Sequence, residues 1–378
     1  MTDPAFSIQF VRASRKGMFF SPLAALLLIL LAGGAQAQWS NVQIPNFDKW
    51  AASPHARFWE EPFRHWDEDG MVPKVCSRCH TSTGFRDFIG ADGTDEGSDK
   101  DHLPGYGITC IACHNDVTRE MTSVTFPSGA TIENLGPESR CMACHQGRES
   151  TNSVNKALTG KAEDTVDKKI QFINVHYRGA GATRYGTQAK GGYEYAGKTY
   201  AGYYLHDKDF QSCLHCHETH TVAVKVEQCQ ACHKETTVKS KRDMQKIRRA
   251  KADFDGDGNA NEGIVGEIKT LHGALLAAIM EYAKTKAGTP VVFDEHAYPY
   301  FFADKNGNAK VDRGEAIYPN RYQAWTPRLL RAAYNYQFVN VDPGAYTHNP
   351  AYVIQLLHDS LADLGTQVSV NMKGMSRP

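Results

Sequence analysis

No cysteine in this 378-residue chain stands outside one short motif, no second long apolar run follows residue 37, and formal charge leans neither way, with 42 basic and 42 acidic residues. Each absence excludes something. A balanced charge excludes the strongly basic surface on which nucleic-acid binding depends. A membrane-spanning helix needs about 20 consecutive apolar residues, so no span is expected beyond the N-terminus. The nine methionines include several in the leader or the termini, and none recurs in step with the cysteine motif, which argues against a methionine-ligated set of metal centres. Between Cys76 and His233 sustained helical periodicity is also sparse; Gly, Asp, Thr and Tyr dominate, as in the stretch from Ile89 to Gly97. Such a segment buries little aliphatic surface by itself, and whatever its motifs bind must supply part of its core.

All ten cysteines fall into five copies of Cys-x-x-Cys-His: Cys76/Cys79/His80, Cys110/Cys113/His114, Cys141/Cys144/His145, Cys213/Cys216/His217 and Cys229/Cys232/His233. Zinc is the competing reading, because two Cys-x-x-Cys pairs make a tetrahedral structural site. Five is an odd number of pairs, however, and zinc gives no reason for a histidine directly after every second cysteine. A disulfide scaffold gives none for the absence of cysteine elsewhere. The pattern reads as five covalent c-type haem sites, in which both thiols add to the porphyrin vinyl groups and the histidine is the proximal iron ligand. Ten propionates would then make the loaded chain acidic, by about ten charges.

What occupies the other face of each iron separates an electron carrier from a catalyst. Eleven histidines lie outside the proximal positions. Five are favoured as distal ligands: His55, His176, His206, His220 and His348. His220 lies three residues after His217, too close for the same iron but within reach of a neighbouring haem. His348 stands just before a Pro-started helix, where the backbone is firmly held. His55 is preferred over His65; His102, followed by Pro104 and Gly105, reads as a surface residue. His272 reads as a packed boundary histidine, and His215, His296 and His358 as dispensable for ligation.

Arg12, Arg15 and Lys16 precede an apolar run from Met18 to Leu31 and a small-residue site at Ala35-Gln36-Ala37. This is the pattern of a secretory signal, so residues 1–37 are expected to be removed and the mature chain to be periplasmic or at the cell surface. Residues 38–238 form the expected pentahaem region and 239–378 a helical C-terminal region. The change begins with a basic run from Lys239 to Lys251, read as a solvated face. Ile268, Leu271, Leu275, Ile279 and Tyr282 recur at helical spacing. Thr326-Pro327 and Asn349-Pro350 are start signals for two more helices, and Gly365 is a stop. The expected fold class is mainly α with extensive loops, a multihaem cytochrome c fold with a haem-packed core plus a C-terminal helical region.

Two loops carry calcium-like oxygen ligands. Asp304, Asn306, Asn308, Lys310, Asp312 and Glu315 occupy ligand positions of an EF-hand-like loop whose turn glycine is replaced by Ala309. Asp253, Asp255, Asp257 and Asn259 begin the same pattern, with Gly258 in place and Ile264 where the bidentate acid belongs; Glu262 or Glu267 completes it only by a non-standard path. Metal-free Asx turns are the plain alternative for both.

With SPHARF at residues 53–58, CHETHT at 216–221, DFDGDGNANEGI at 253–264, YPNRYQAWTPRLLRAAYNYQ at 318–337 and HNPAYVIQLLHDSL at 348–361, the chain resembles the secreted multihaem c-type cytochromes of anaerobic respiratory bacteria. The resemblance implies low-potential electron transfer through bis-histidine haems between redox partner proteins and an external acceptor. Homo-oligomers or filaments fall within what it allows. The alternative is a multihaem reductase of a small nitrogen or sulfur oxyanion, with one open-coordination haem and Tyr177, Arg178 and Tyr185 around it.

Overall fold

A computed structural model of the protein describes residues 43–378. The expected leader lies outside the described residues. The chain divides into a first unit ending at Asp48 and a second, Lys49–Pro378, which contains all five motifs.

Three long helices organise the second unit: α1 (Ile264–Thr285), α2 (Pro327–Asn340) and α3 (Pro350–Leu364). Their starts follow from local chemistry. The Thr326 hydroxyl accepts the Leu329 amide at 3.2 Å and the Asn349 side chain accepts the Tyr352 amide at 3.1 Å, each ahead of a proline that has no amide to leave unpaired. Gly365 caps α3 with φ −60°, so that helix ends without the left-handed turn a glycine stop usually supplies. Leu271, Leu275, Ile279 and Tyr282 on α1 are wholly buried, as are Leu329 and Leu330 on α2 and Leu356, Leu357 and Leu361 on α3.

The apolar core does not stop at residue 238. Val124, Met142, Val154, Val175, Ala182 and Tyr193 from the motif-bearing half share one cluster with the three helices. Fully buried Asn335 stitches the halves together: its Oδ1 accepts the Tyr193 amide at 2.6 Å, and its Nδ2 donates to the Tyr193 carbonyl and to Ser360 Oγ, both at 3.0 Å. Asn335→Ala strands the Tyr193 backbone groups in an apolar setting. It is expected to cost about 2–4 kcal/mol, read as a lowered unfolding midpoint of the haem-loaded protein with an unchanged haem spectrum.

Strand structure is confined to two short antiparallel pairs among the described residues, Val124–Thr125 with Thr131–Ile132 and Val291–Phe293 with Phe301–Ala303. Residues 49–120 carry little aliphatic core of their own; Phe85 and Ile89 pack on Ala112 and Ala143 in a small separate cluster. Within the basic run Arg248 departs from its neighbours. Its side chain is largely covered, and its guanidinium meets the Glu267 carboxylate at 2.5 Å and the Glu262 carbonyl at 3.1 Å, because the start of α1 leaves a charge there for it to neutralise.

Candidate haem-binding site

Each motif forms or borders a short helical turn, at Lys74–His80, Cys110–Cys113, Ser139–Met142, Cys213–Cys216 and Val226–Cys229. On a helical turn, residues i, i+3 and i+4 share a face, so this conformation turns both thiols and the histidine the same way. In the last four motifs the histidine amide closes that turn on the first cysteine's carbonyl at 2.8–3.0 Å. All ten thiols are free.

The fifth motif, like the third, runs past its helix before the second thiol. Its helix ends at Cys229, so Cys232 stands beyond the helical residues and is exposed. The Cys232 amide still reaches the Cys229 carbonyl at 3.3 Å, and the His233 amide reaches the same oxygen at 3.0 Å. That one carbonyl therefore keeps Cys232 on the turn, as the Cys141 carbonyl does for Cys144 in the third motif. Cys110 and Cys216 are exposed as well, whereas the other seven thiols are partly buried. A porphyrin held by Cys232 would accordingly have an edge near solvent.

Four further imidazoles stand ring to ring with proximal ones, and a fifth lies near enough to act electrostatically on the remaining one. His176 lies beside His80 with ring centroids 5.8 Å apart, His220 beside His114 at 6.2 Å, His55 beside His145 at 6.3 Å, and His206 beside His233 at 6.0 Å. His348 is close enough to His217 to lower its affinity for protons. A metal–imidazole bond is about 2 Å long. Two such bonds, with about 1 Å from each nitrogen to its ring centre, put the centroids about 6 Å apart across a six-coordinate iron. The measured spacings match that span and are too wide for direct imidazole stacking, so the residues present fit a haem iron.

The rings are oriented from behind. His80 Nδ1 lies 2.6 Å from the Pro62 carbonyl oxygen and His217 Nδ1 3.1 Å from that of Val222, which fixes the proton on Nδ1 and leaves Nε2 as the metal-binding atom. His348 Nδ1 faces both carboxylate oxygens of buried Asp342, at 2.8 and 2.9 Å, and its ring lies over Gly344, where a Cβ would come within 2.5 Å of Cε1. His176 is held in the left-handed region at φ +67°, with its amide donated to Asn174 Oδ1 at 2.9 Å; such strain in a non-glycine residue persists where the surroundings fix it. Glu218 accepts the His220 and Thr221 amides, 2.9 and 2.7 Å, which holds its carboxyl down at about 2 and shapes the turn that carries His220.

Burial disfavours the charged form of six of these rings. It lowers His145 and His176 to about 4, and His55, His80, His206 and His217 in the same direction. His348 is the exception. Burial opposes its charge, yet Asp342 outweighs that and raises it, so a cation at Nε2 would satisfy the same carboxylate as a proton there.

The motifs also approach one another. Cys79 and Cys144 are near enough to act on one another electrostatically, as are Cys141 and Cys213, and Cys113 acts in the same way on both Cys141 and Cys144. Cys216 and Cys229 interact in the same way. The third motif therefore sits among the first, second and fourth, and the fifth borders the fourth through Cys229, with Cys232 on its outer, exposed side.

The comparisons point the same way. The chain is 28% identical over 355 residues to the C-type polyheme cytochrome OmcB of Geobacter sulfurreducens, and 27% identical over 367 residues to OmcC of the same organism, with 79% of this chain covered in each case. The chain is a relative of the multihaem c-type cytochromes. It spans less than half the length of those curated relatives, 45% of OmcB and 43% of OmcC. No family model matches it, and no solved structure does.

Other histidines of this cytochrome relative lie apart from the ring pairs. His65 is mostly exposed and bonded to Glu61 at 2.7 Å. His102 departs from the surface position its flanking Pro104 and Gly105 suggest: it is buried, with Nε2 3.0 Å from Asp87 Oδ2, because its backbone pairs with Val72 and turns the ring inward. His272 bonds the Tyr336 carbonyl at 2.8 Å and stacks on that ring at 3.8 Å. Tyr177 and Arg178 line an open cleft of about 340 Å³ with His296, whereas Tyr185 is buried elsewhere against Phe126 and Tyr203. The grouping of these three around one pocket is not what the fold produces.

The two oxygen-rich loops also differ. In the later one, Asp304 accepts the Gly307 and Ala309 amides, and Glu315 those of Lys305 and Asp312. Asp312 Oδ2 receives the Asn306 and Asn308 amides, while Asn308 Oδ1 takes the Lys310 amide. Among the described residues, the acidic groups close enough to share one ion belong to the earlier loop: Asp253, Asp255 and Glu267, and Asp255, Asp257 and Glu262. Asn259 Oδ1 accepts the Asn261 amide at 3.2 Å.

Proposed function

We propose that this chain binds five haems covalently, each closed on both faces by histidine, and passes electrons among them from a donor protein to an acceptor beyond the inner membrane. The observation that carries this is the pairing of four motif histidines with a second imidazole at 5.8–6.3 Å between ring centroids, with His348 near enough to act on the remaining one, His217. Cys76 and Cys79, Cys110 and Cys113, Cys141 and Cys144, Cys213 and Cys216, and Cys229 and Cys232 would anchor the porphyrins. The ligand pairs would be His80/His176, His114/His220, His145/His55, His217/His348 and His233/His206. Such haem supplies reversible one-electron iron chemistry with little change of geometry. The polypeptide's part is to keep the imidazoles neutral, hold their Nδ1 atoms and set which motifs adjoin.

The leader sequence supports export, and no helix among the described residues is long and apolar enough to cross a membrane. Anaerobic respiration toward an external acceptor is the setting we propose for this relay. Catalysis at an open iron is the weaker reading, since each proximal histidine has a second imidazole near it.

Purified holoprotein is expected to give a pyridine haemochrome of c type at five haems per chain, and a ferric spectrum that is low-spin throughout. Carbon monoxide, nitrite and hydroxylamine should leave the spectrum unchanged. A high-spin fraction that shifts on adding one of them would move the assignment to a reductase; fewer than five haems would break it.

A further inference from the structure

We propose that the loop from Asp253 to Glu262 binds one divalent cation of calcium type, with Asp255, Asp257 and Glu262 as ligands and with Glu267 shaping the loop without joining the ligand set. The carboxylate oxygens of Asp255, Asp257 and Glu262 lie within 4.8 Å of one another. Asp255 is only 5% exposed, and its Oδ2 is buried without a hydrogen-bond partner. Thr270 approaches Asp255 but closes no hydrogen bond to that atom. Glu262 Oε1 is likewise buried and unpaired.

The remaining acids are already engaged. Asp253 Oδ1 and Oδ2 accept the Gly256 and Gly258 amides at 2.7 and 2.8 Å. Glu267 is wholly buried; its Oε2 accepts the Phe254 and Asp255 amides, both at 2.8 Å, and its Oε1 meets Arg248. Arg248 thus balances Glu267. No cationic side chain bonds Asp255 Oδ2 or Glu262 Oε1: Arg248, committed to Glu267, offsets Glu262 only in part against the carboxylates of Asp255, Asp257 and Glu267. A buried, unpaired carboxylate oxygen among like charges is costly. A hard cation removes that cost, and an all-oxygen set without cysteine or histidine selects calcium over zinc.

The site ties three segments together. Its loop runs directly into α1, and the C-terminal tail lies against it: the Ser376 amide donates to the Phe254 carbonyl at 3.2 Å, and a Cβ on Gly256, at φ +77°, would sit 2.6 Å from the Met375 nitrogen. Bound cation should therefore stiffen the start of α1 and the tail. The inference is independent of the redox reading.

The test uses haem-loaded full-length protein, stripped with a chelator and dialysed against calcium or magnesium. Calcium content by mass spectrometry and the unfolding midpoint are the readouts. Calcium is expected to be retained and to raise the midpoint, with magnesium at equal concentration giving neither. The variant Asp255→Asn with Glu262→Gln should lose one calcium per chain and the calcium-dependent rise, whereas exposed Asp116→Asn should keep both. Stripped wild type that takes up no calcium overturns the inference, as does a double variant with unchanged calcium content. The wild-type arm decides the matter even if the double variant misfolds.

Discussion

Replacing His348 with alanine is expected to turn one haem of the five high-spin. His348 is carried by the short helix Ala345–His348 that leads into α3, far along the chain from His217. Its ring is positioned twice, by the Asp342 carboxylate on Nδ1 and by Gly344 beneath it. Alanine leaves that pocket without a nitrogen, and iron held by His217 alone would have an open position. One of the five low-spin ferric signals should disappear, a high-spin signal should replace it, and the variant should bind carbon monoxide and be restored by added imidazole. His220→Ala should do the same to the haem of His114. Unchanged spectra in both variants would show the pairing to be wrong. Asp342→Asn gives a sharper control. It keeps the hydrogen bond but removes the charge that enriches the ring, so all haems stay low-spin while one potential rises by tens of millivolts, where about 59 mV is a tenfold change in a one-electron equilibrium. A merely structural role for Asp342 would not move that potential.

Much of this was legible in the residues because it is local. A Cys-x-x-Cys-His motif fixes its own helical turn; Thr326-Pro327 and Asn349-Pro350 each carry a cap and a start within four residues; the apolar stripe of α1 announces its buried face. The imidazoles that could serve as second ligands could be named from their surroundings too. Which proximal ring each one meets could not, because that depends on contacts between segments far apart in sequence, such as His55 with His145 or His348 with His217. The same limit explains His102 and Arg248. Each sits in a stretch that reads as solvated, and each is drawn inside by one distant carboxylate, Asp87 or Glu267. The core shared across residue 238 escaped for a similar reason: Val175 and Tyr193 lie outside any helix or strand, and they join a cluster whose helices come much later in the sequence.

The second large effect is expected from His55→Met, which should make the haem of the third motif an electron trap. Methionine in place of one histidine keeps iron low-spin and raises its potential. The third motif is the one whose thiols adjoin those of the first and fourth motifs and interact with Cys113 of the second, while the fifth motif borders the fourth. Electrons entering at the first motif and leaving at the fifth would therefore rest on the third haem. Escape from a trap slows about tenfold for each 59 mV of added depth. Potentiometric titration should show one haem reduced ahead of the other four, and flash photoreduction should show slower equilibration across the set. His206→Met, at the fifth motif, should shift one potential equally while leaving transfer among the other four haems at its original rate. If His55→Met shifts a potential and equilibration does not slow, the current bypasses the third motif. The His217–His220 segment, which presents one imidazole toward the fourth motif's iron position and another toward His114, is then the route by which the second and fourth haems exchange electrons directly.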